Sequence, residues 1–205
     1  MELFIILLLI AASLAGLTFI IERGLALRWK KVVPPEIENA VSNCRATADL
    51  PMLRRVCEQN PSPLGRLLLL ADSNRDWPKA ENVDAIQTRA RHEIVKLERG
   101  LVILEIVVGI APLLGLVGTI YGLITLFGGM GESGLSENNT MARGIAIALN
   151  ATLMGLLTAI PSLIAWSYYN KKVETLAVEM ETICDEFLQR QYRNQADDTT
   201  PATKR

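Results

Sequence analysis

Three stretches of this 205-residue chain are apolar and carry no charge: residues 3–21, 106–130 and 144–169. At about 1.5 Å of rise per residue, even the first makes roughly 28 Å of helix, close to the thickness of a bilayer's hydrocarbon core. One such run could hide in a soluble helical core. Three of spanning length predict three transmembrane helices. The first run has only Met-Glu ahead of it and is followed, not preceded, by basic residues. It is also longer than the apolar part of a usual secretory signal. Small residues in AASLA offer a cleavage site, but the other features favour a retained anchor.

Between the first two runs the pattern turns polar and helical. Pro51, Pro61, Pro63 and Pro78 start or stop helices there. Short helices are expected near 36–47, 51–59 and 63–73, then a long one from about 79. That helix meets no breaker before Gly100 and is expected to run straight into the second transmembrane helix. After the third run, Val173, Leu176, Ala177, Met180, Ile183, Cys184, Phe187 and Leu188 keep the i, i+3, i+4, i+7 spacing of a buried helix face. The expectation is an all-α membrane protein whose second and third transmembrane helices extend into a cytoplasmic helical bundle. The final NQADDTTPATKR is polar and expected to be disordered.

Composition agrees with the pattern. Half of the residues are hydrophobic and the mean hydropathy is +0.25, more apolar than is usual for a soluble domain. The net charge of −1 predicts no nucleic-acid partner. The placement of charge says more than its total. Arg23, Arg28, Lys30 and Lys31 follow the first helix, Arg89, Arg91, Lys96 and Arg99 precede the second, and Lys171 and Lys172 follow the third. The 131–143 connection holds Glu132, Glu137 and only Arg143. The positive-inside rule then places the N-terminus in the periplasm. Residues 1–22, 101–130 and 144–170 span the membrane, 23–100 and 171–205 are cytoplasmic, and 131–143 is a periplasmic loop. Cys44, Cys57 and Cys184 all fall on the cytoplasmic side, fit no zinc spacing, and are expected to be reduced structural thiols.

No soluble-enzyme chemistry is visible. The one histidine, His92, sits in a charged helix flank. GLVGTIYG has glycines but lacks the lysine and the strand-to-helix context of a phosphate loop. No catalytic residue, cofactor or metal site is expected. In a membrane helix these glycines imply close helix approach instead. In the second helix Gly118 and Gly122 form one small-xxx-small pair, and Gly115 with Thr119 forms another. Ala148, Thr152, Gly155, Ala159 and Ser162 make a second small-residue stripe in the third. Pro112 and Pro161 each remove a helix hydrogen bond and are expected as kinks within a packed bundle.

The segments APLLGLVGTIYGLITLF (111–127) and GIAIALNATLMGLLTAIPSLIAWSYYN (144–170) resemble the MotA/TolQ/ExbB proton channel family. Three helices and CEQNPSPLGRLLLLA in the loop bring the chain closest to the ExbB/TolQ branch. The resemblance implies a homo-oligomer, a pentamer, in the bacterial inner membrane. It implies a pore lined by the second and third helices, enclosing a single-transmembrane partner similar to ExbD or TolR. That partner supplies the Asp that carries the ion. A TonB/TolA-like protein is a further implied contact. Ion flow would energise an envelope or outer-membrane process such as transport. Thr119 in GLVGT and Thr152 in LNAT match the family's pore threonines.

One position departs from that pattern. ExbB and TolQ usually carry GIAEAL, with a glutamate in the membrane, where this chain has Ile147. The resemblance implies H⁺ as the translocated ion; the missing glutamate opens Na⁺ as the second choice, since a hydroxyl- and amide-lined site suits a hard cation. Glu105 is the only acidic residue inside the second or third span. It has two readings: a polar mouth for ions, or an interfacial pairing with Arg99 or Lys96. Asn150 lies about 200° around the helix from Thr152, so both cannot face the same axis. It is read as an interhelical hydrogen bond or as an ion ligand. Two other readings of the whole chain remain: a non-conducting structural membrane scaffold, and a MotA-like stator subunit, which expects four transmembrane helices.

Overall fold

The computed structural model describes residues 2–44, 47–133 and 138–199. Among these there is no strand. The helices are α1 (Glu2–Ala26), α2 (Trp29–Val32), α3 (Pro35–Asn43), α4 (Leu50–Gln59), α5 (Pro63–Ser73), α6 (Lys79–Glu98), α7 (Leu101–Ser133) and α8 (Asn138–Thr199), with a 3₁₀ turn at Thr47–Asp49. Prolines punctuate them as the chemistry of the ring requires. Pro35, Pro51 and Pro63 occupy first-turn positions, where the missing N–H would have had no partner, and Pro78 precedes α6. Ser62 Oγ caps α5 by accepting the Gly65 N–H at 3.1 Å.

Three helices are long and apolar enough to cross a membrane: Phe4–Ala26, Leu101–Gly128 and the Gly144–Asn194 part of α8. Two expectations are corrected. The long helix from 79 does not run into the second transmembrane helix: α6 ends at Glu98 and α7 begins at Leu101. Gly100 is buried at the break, and a Cβ there would lie 2.7 Å from Arg23 Nε. A residue with weak helix propensity, packed on a guanidinium, ends one helix before the next begins. The tail expected to be disordered from Asn194 instead continues α8 to Thr199, because Gln, Ala and Asp offer no breaker before Pro201. Of the 131–143 connection, residues 134–137 lie outside the described residues, as do 200–205.

The chain divides into two compact units, Met1–Leu25 with Gly100–Asn170, and Ala26–Arg99 with Lys171–Arg205. The first holds its helices together through small residues. A Cβ on Gly16 would lie 2.9 Å from Ser162 Oγ, and one on Gly24 would lie 2.9 Å from Tyr169 Oη. The Tyr169 hydroxyl donates to the Ile20 carbonyl at 2.8 Å, tying α1 to α8. Large apolar side chains such as Leu7, Leu14, Leu113 and Ile164 point outward. This is the reverse of a water-soluble packing, and it suits a lipid solvent.

The second unit has the ordinary arrangement. Val33, Ile37, Leu64, Leu67, Leu68, Leu176 and Met180 form its buried core. Polar side chains fasten helix ends. Arg190 Nη1 donates to the Val41 and Ser42 carbonyls in the last turn of α3 (3.1 and 3.3 Å). Tyr192 Oη donates to Trp77 O at 2.9 Å, and the buried Asn82 donates to Ala71 O and to Tyr192 Oη, both at 3.1 Å. Cys44, Cys57 and Cys184 are free and buried. Burial, then the nearby Asp72, push the Cys57 thiol up to about 11, so it stays protonated and unreactive near neutrality.

Glu93 is a heavily partnered carboxylate. Its side chain is 1% exposed, and it accepts from Arg66 Nη2 at 2.5 Å and Lys96 Nζ at 3.0 Å, with Arg89 Nε at 3.5 Å. Burial alone would raise its carboxyl, but hydrogen bonds and charge from Arg66 and Lys96 outweigh burial and hold it below the usual glutamate value. A depressed folded value stabilises the fold above the ordinary pKa of about 4.3 and loses that contribution as pH falls through the depressed one. Glu93→Gln should therefore cost about 1–3 kcal/mol at pH 7. Its thermal unfolding midpoint should converge with that of the parent chain as the buffer is taken below about pH 4.

Candidate functional site

α7 and α8 meet antiparallel along a seam of small residues. A Cβ on Gly115 would lie 2.8 Å from Ala151 O and 2.9 Å from Thr152 Cα. One on Gly155 would lie 2.6 Å from Ala111 O and 3.2 Å from Gly115 Cα. Further along, Gly118 faces Ala151 and Gly122 faces Ala148 at 2.7 and 3.0 Å by the same measure. Backbone therefore rests on backbone, which needs residues without a Cβ on at least one side. Ala111, Ala148, Ala159 and Ser162 are buried. The α8 stripe is shared between partners: Ala148, Thr152 and Gly155 face α7, whereas Ser162 faces Gly16 of α1.

That closeness brings two hydroxyls together. Thr119 Oγ1 and Thr152 Oγ1 are hydrogen-bonded to each other across the seam. Thr119 also reaches Gly115 O at 3.1 Å and Ala148 O at 3.3 Å, and Thr152 reaches Gly115 O at 3.2 Å. Both side chains are half-buried. The result is a compact group of oxygens carrying no formal charge within an apolar span. It provides polarity without the several kcal/mol that an ionised side chain costs at that depth.

The other sequence-predicted residues lie apart from this pair. Asn150 is exposed on α8 and has no hydrogen-bond partner among the described residues. Glu105, one turn into α7, is exposed. Lys96, one of its two expected partners, is committed to Glu93. Ile147 is also exposed, beside a small hollow lined by Ile5, Ile6, Gly118, Gly122, Ala148 and Ala151. Sequence reasoning missed the contribution of α1. Gly16 and Gly24 are its only glycines, about 80° apart around the helix and so on the same side of it, and this spacing was the available signal. Among the described residues no group of His, Cys, Asp and Glu could hold a metal ion.

Three apolar spans, packed in one unit through a glycine seam, are those of a multi-span, all-helical membrane protein. Residues 62–182 match the MotA/TolQ/ExbB proton channel family. The chain is 30% identical to the Tol-Pal system protein TolQ of Pseudomonas aeruginosa, over 89% of this chain and 84% of that one. It is 34% identical to the biopolymer transport protein ExbB of Helicobacter pylori, over 51% of this chain and 68% of the relative. It is 25% identical to the putative biopolymer transport protein ExbB-like 3 of Synechocystis, over 96% of both chains. The protein is a membrane protein of the MotA/TolQ/ExbB family and lies in its ExbB/TolQ branch.

The seam predicts a graded response to added methyl groups. Gly155→Ala and Gly115→Ala drive a Cβ into backbone that cannot move aside, and should cost about 1–3 kcal/mol or more. Gly109→Ala, where a Cβ meets nothing within 4 Å, should change stability by less than about 0.5 kcal/mol. Unfolding midpoints of the detergent-solubilised variants measure the difference.

Proposed function

We propose that this chain is the pore-forming subunit of an ion-driven motor in the bacterial inner membrane, with its N-terminus in the periplasm and its C-terminus in the cytoplasm. Copies assemble into a homo-oligomer, a pentamer, around a single-transmembrane partner similar to ExbD or TolR. Ion flow through the complex energises an envelope or outer-membrane process such as transport, through a TonB/TolA-like protein. The supporting observation is the Thr119–Thr152 pair. Two hydroxyls and the Gly115 carbonyl share hydrogen bonds inside a span, in a chain related to TolQ and ExbB.

H⁺ is the first choice of ion and Na⁺ the second. A carboxylate that binds and releases a proton has to come from the partner, because Ile147 replaces the glutamate of the usual GIAEAL motif. Uncharged oxygens suit a hard cation as well as a proton relay. The same isoleucine supports the second reading, a non-conducting scaffold.

Flux through the reconstituted complex under a pure H⁺ or a pure Na⁺ gradient separates these readings. H⁺ flux is expected, falling about tenfold or more in Thr119→Val and Thr152→Val, which keep the shape and remove the hydroxyl. Thr→Ser at either position should retain most of it. Unchanged flux in both valine variants would sink the pore assignment, and conduction under Na⁺ alone would reverse the order of the ions.

A further inference from the structure

Glu105 is the only charged residue in 101–130 and 144–170, and the threonine pair does not involve it. It is exposed, one turn into α7. Its carboxylate has no hydrogen bond and no ion pair among the described residues. Lys96, the nearer of its two expected partners by charge pattern, is held by Glu93 at 3.0 Å. A carboxylate in an apolar span is unfavourable unless it meets water, a cation or an opposite charge.

Helical register joins Glu105 to the pair. At about 100° per residue, Gly109, Pro112, Leu116 and Thr119 all fall within about 40° of Glu105 around α7. Oxygen atoms recur along this side. Pro112 lies inside α7 and has no N–H to give, so the Val108 carbonyl, four residues back, loses its helix partner. Gly109 beside it is exposed, and even an added Cβ there would meet nothing within 4 Å. No side chain at 109 therefore covers the freed carbonyl. Further along, the Gly115 carbonyl is within bonding reach of both threonine hydroxyls. Leu116 is the one large apolar residue on this side between Pro112 and Thr119. In lipid, an unpaired carbonyl and an unpaired carboxylate are each costly. The two arise independently, one from a proline and one from a glutamate, and both suit this side of α7 to water and cations better than to acyl chains.

We infer that Glu105 is the charged mouth of a cation path that follows this side of α7 to the Thr119–Thr152 pair. The passenger is the cation of the proposed function, a proton or a hydrated monovalent ion, and the inference rests on that reading. About 21 Å of helix separate Glu105 from Thr119. The carboxylate thus acts on the passenger as it enters or leaves, not at the pair, and does not stand in for the glutamate replaced by Ile147. Its negative charge raises the cation concentration at the mouth, an effect that salt screens.

The test is ion flux through the reconstituted complex at low and high ionic strength, with native mass spectrometry on the same samples. Glu105→Gln should lower flux about threefold or more at roughly 0.01 M salt, and the gap should close to less than about twofold at roughly 1 M. Glu105→Asp should keep most of the flux. Glu105→Cys should regain flux when a methanethiosulfonate reagent adds a sulfonate, and not when it adds a trimethylammonium. The three native cysteines are buried and leave that reaction to the new thiol. Unchanged flux in Glu105→Gln, with loss in Thr119→Val, overturns the mouth and leaves the pore standing. Unchanged flux in both overturns the two together. A loss that is the same at high salt, in an oligomer that falls apart by mass, overturns the mouth in favour of an ion pair between chains.

Discussion

The contact on which the membrane part depends is the approach of two backbones at Gly115 and Gly155. No hydrophobic force drives apolar helices together in lipid, so dispersion at short range must hold them. That force falls steeply with distance, and a single methyl group at either glycine would separate the helices. The same approach fixes register. With Gly115 over Thr152, Thr119 comes within bonding reach of Thr152 and of the Ala148 carbonyl. The hydroxyl pair is thus a product of the packing and cannot be moved independently of it. α1 is fitted to the assembly by the same means, through Gly16 on Ser162 and Gly24 on Tyr169.

The two units use opposite economies. In one, small residues point inward and large apolar ones outward, and single hydrogen bonds such as Tyr169 to Ile20 settle alignment. In the other, large apolar residues are inside, and charged groups that reach the interior are neutralised there. Glu93 gathers Arg66, Lys96 and Arg89, while Asp72 holds Arg54 at 2.8 Å. α8 belongs to both units and changes its inward face accordingly, from Ala148 and Gly155 early to Leu176 and Phe187 late.

Much of this was legible in the sequence because the signals were strong and local. Uncharged runs marked the spans, and prolines 51, 63 and 78 marked helix starts to within a residue or two. The break at Arg99–Gly100 was not foreseen as the end of a helix. One glycine beside an apolar run reads equally well as a tolerated interior residue. Thr119 and Thr152 could be named, but not their mutual contact, since pairing between two helices depends on register that neither helix encodes alone. The division of the α8 stripe between α7 and α1 was hidden for the same reason. Asn150 illustrates the limit of helical geometry. Its angle from Thr152 separates it from that residue's face, but says nothing of what it meets, and among the described residues its side chain has no hydrogen-bond partner.

The hydroxyl pair has a sign. Thr119 and Thr152 own two protons between them: one hydroxyl donates to the other's oxygen, and the remaining proton is directed at the carbonyls of Gly115 and Ala148. What remains on the two oxygens is lone pairs. A visitor to this place finds acceptors and no donor. An anion has nothing to hold there, whereas a species bringing a proton or a positive charge does. Two residues without formal charge therefore give this part of the span a negative polarity, through the placement of hydrogen atoms alone.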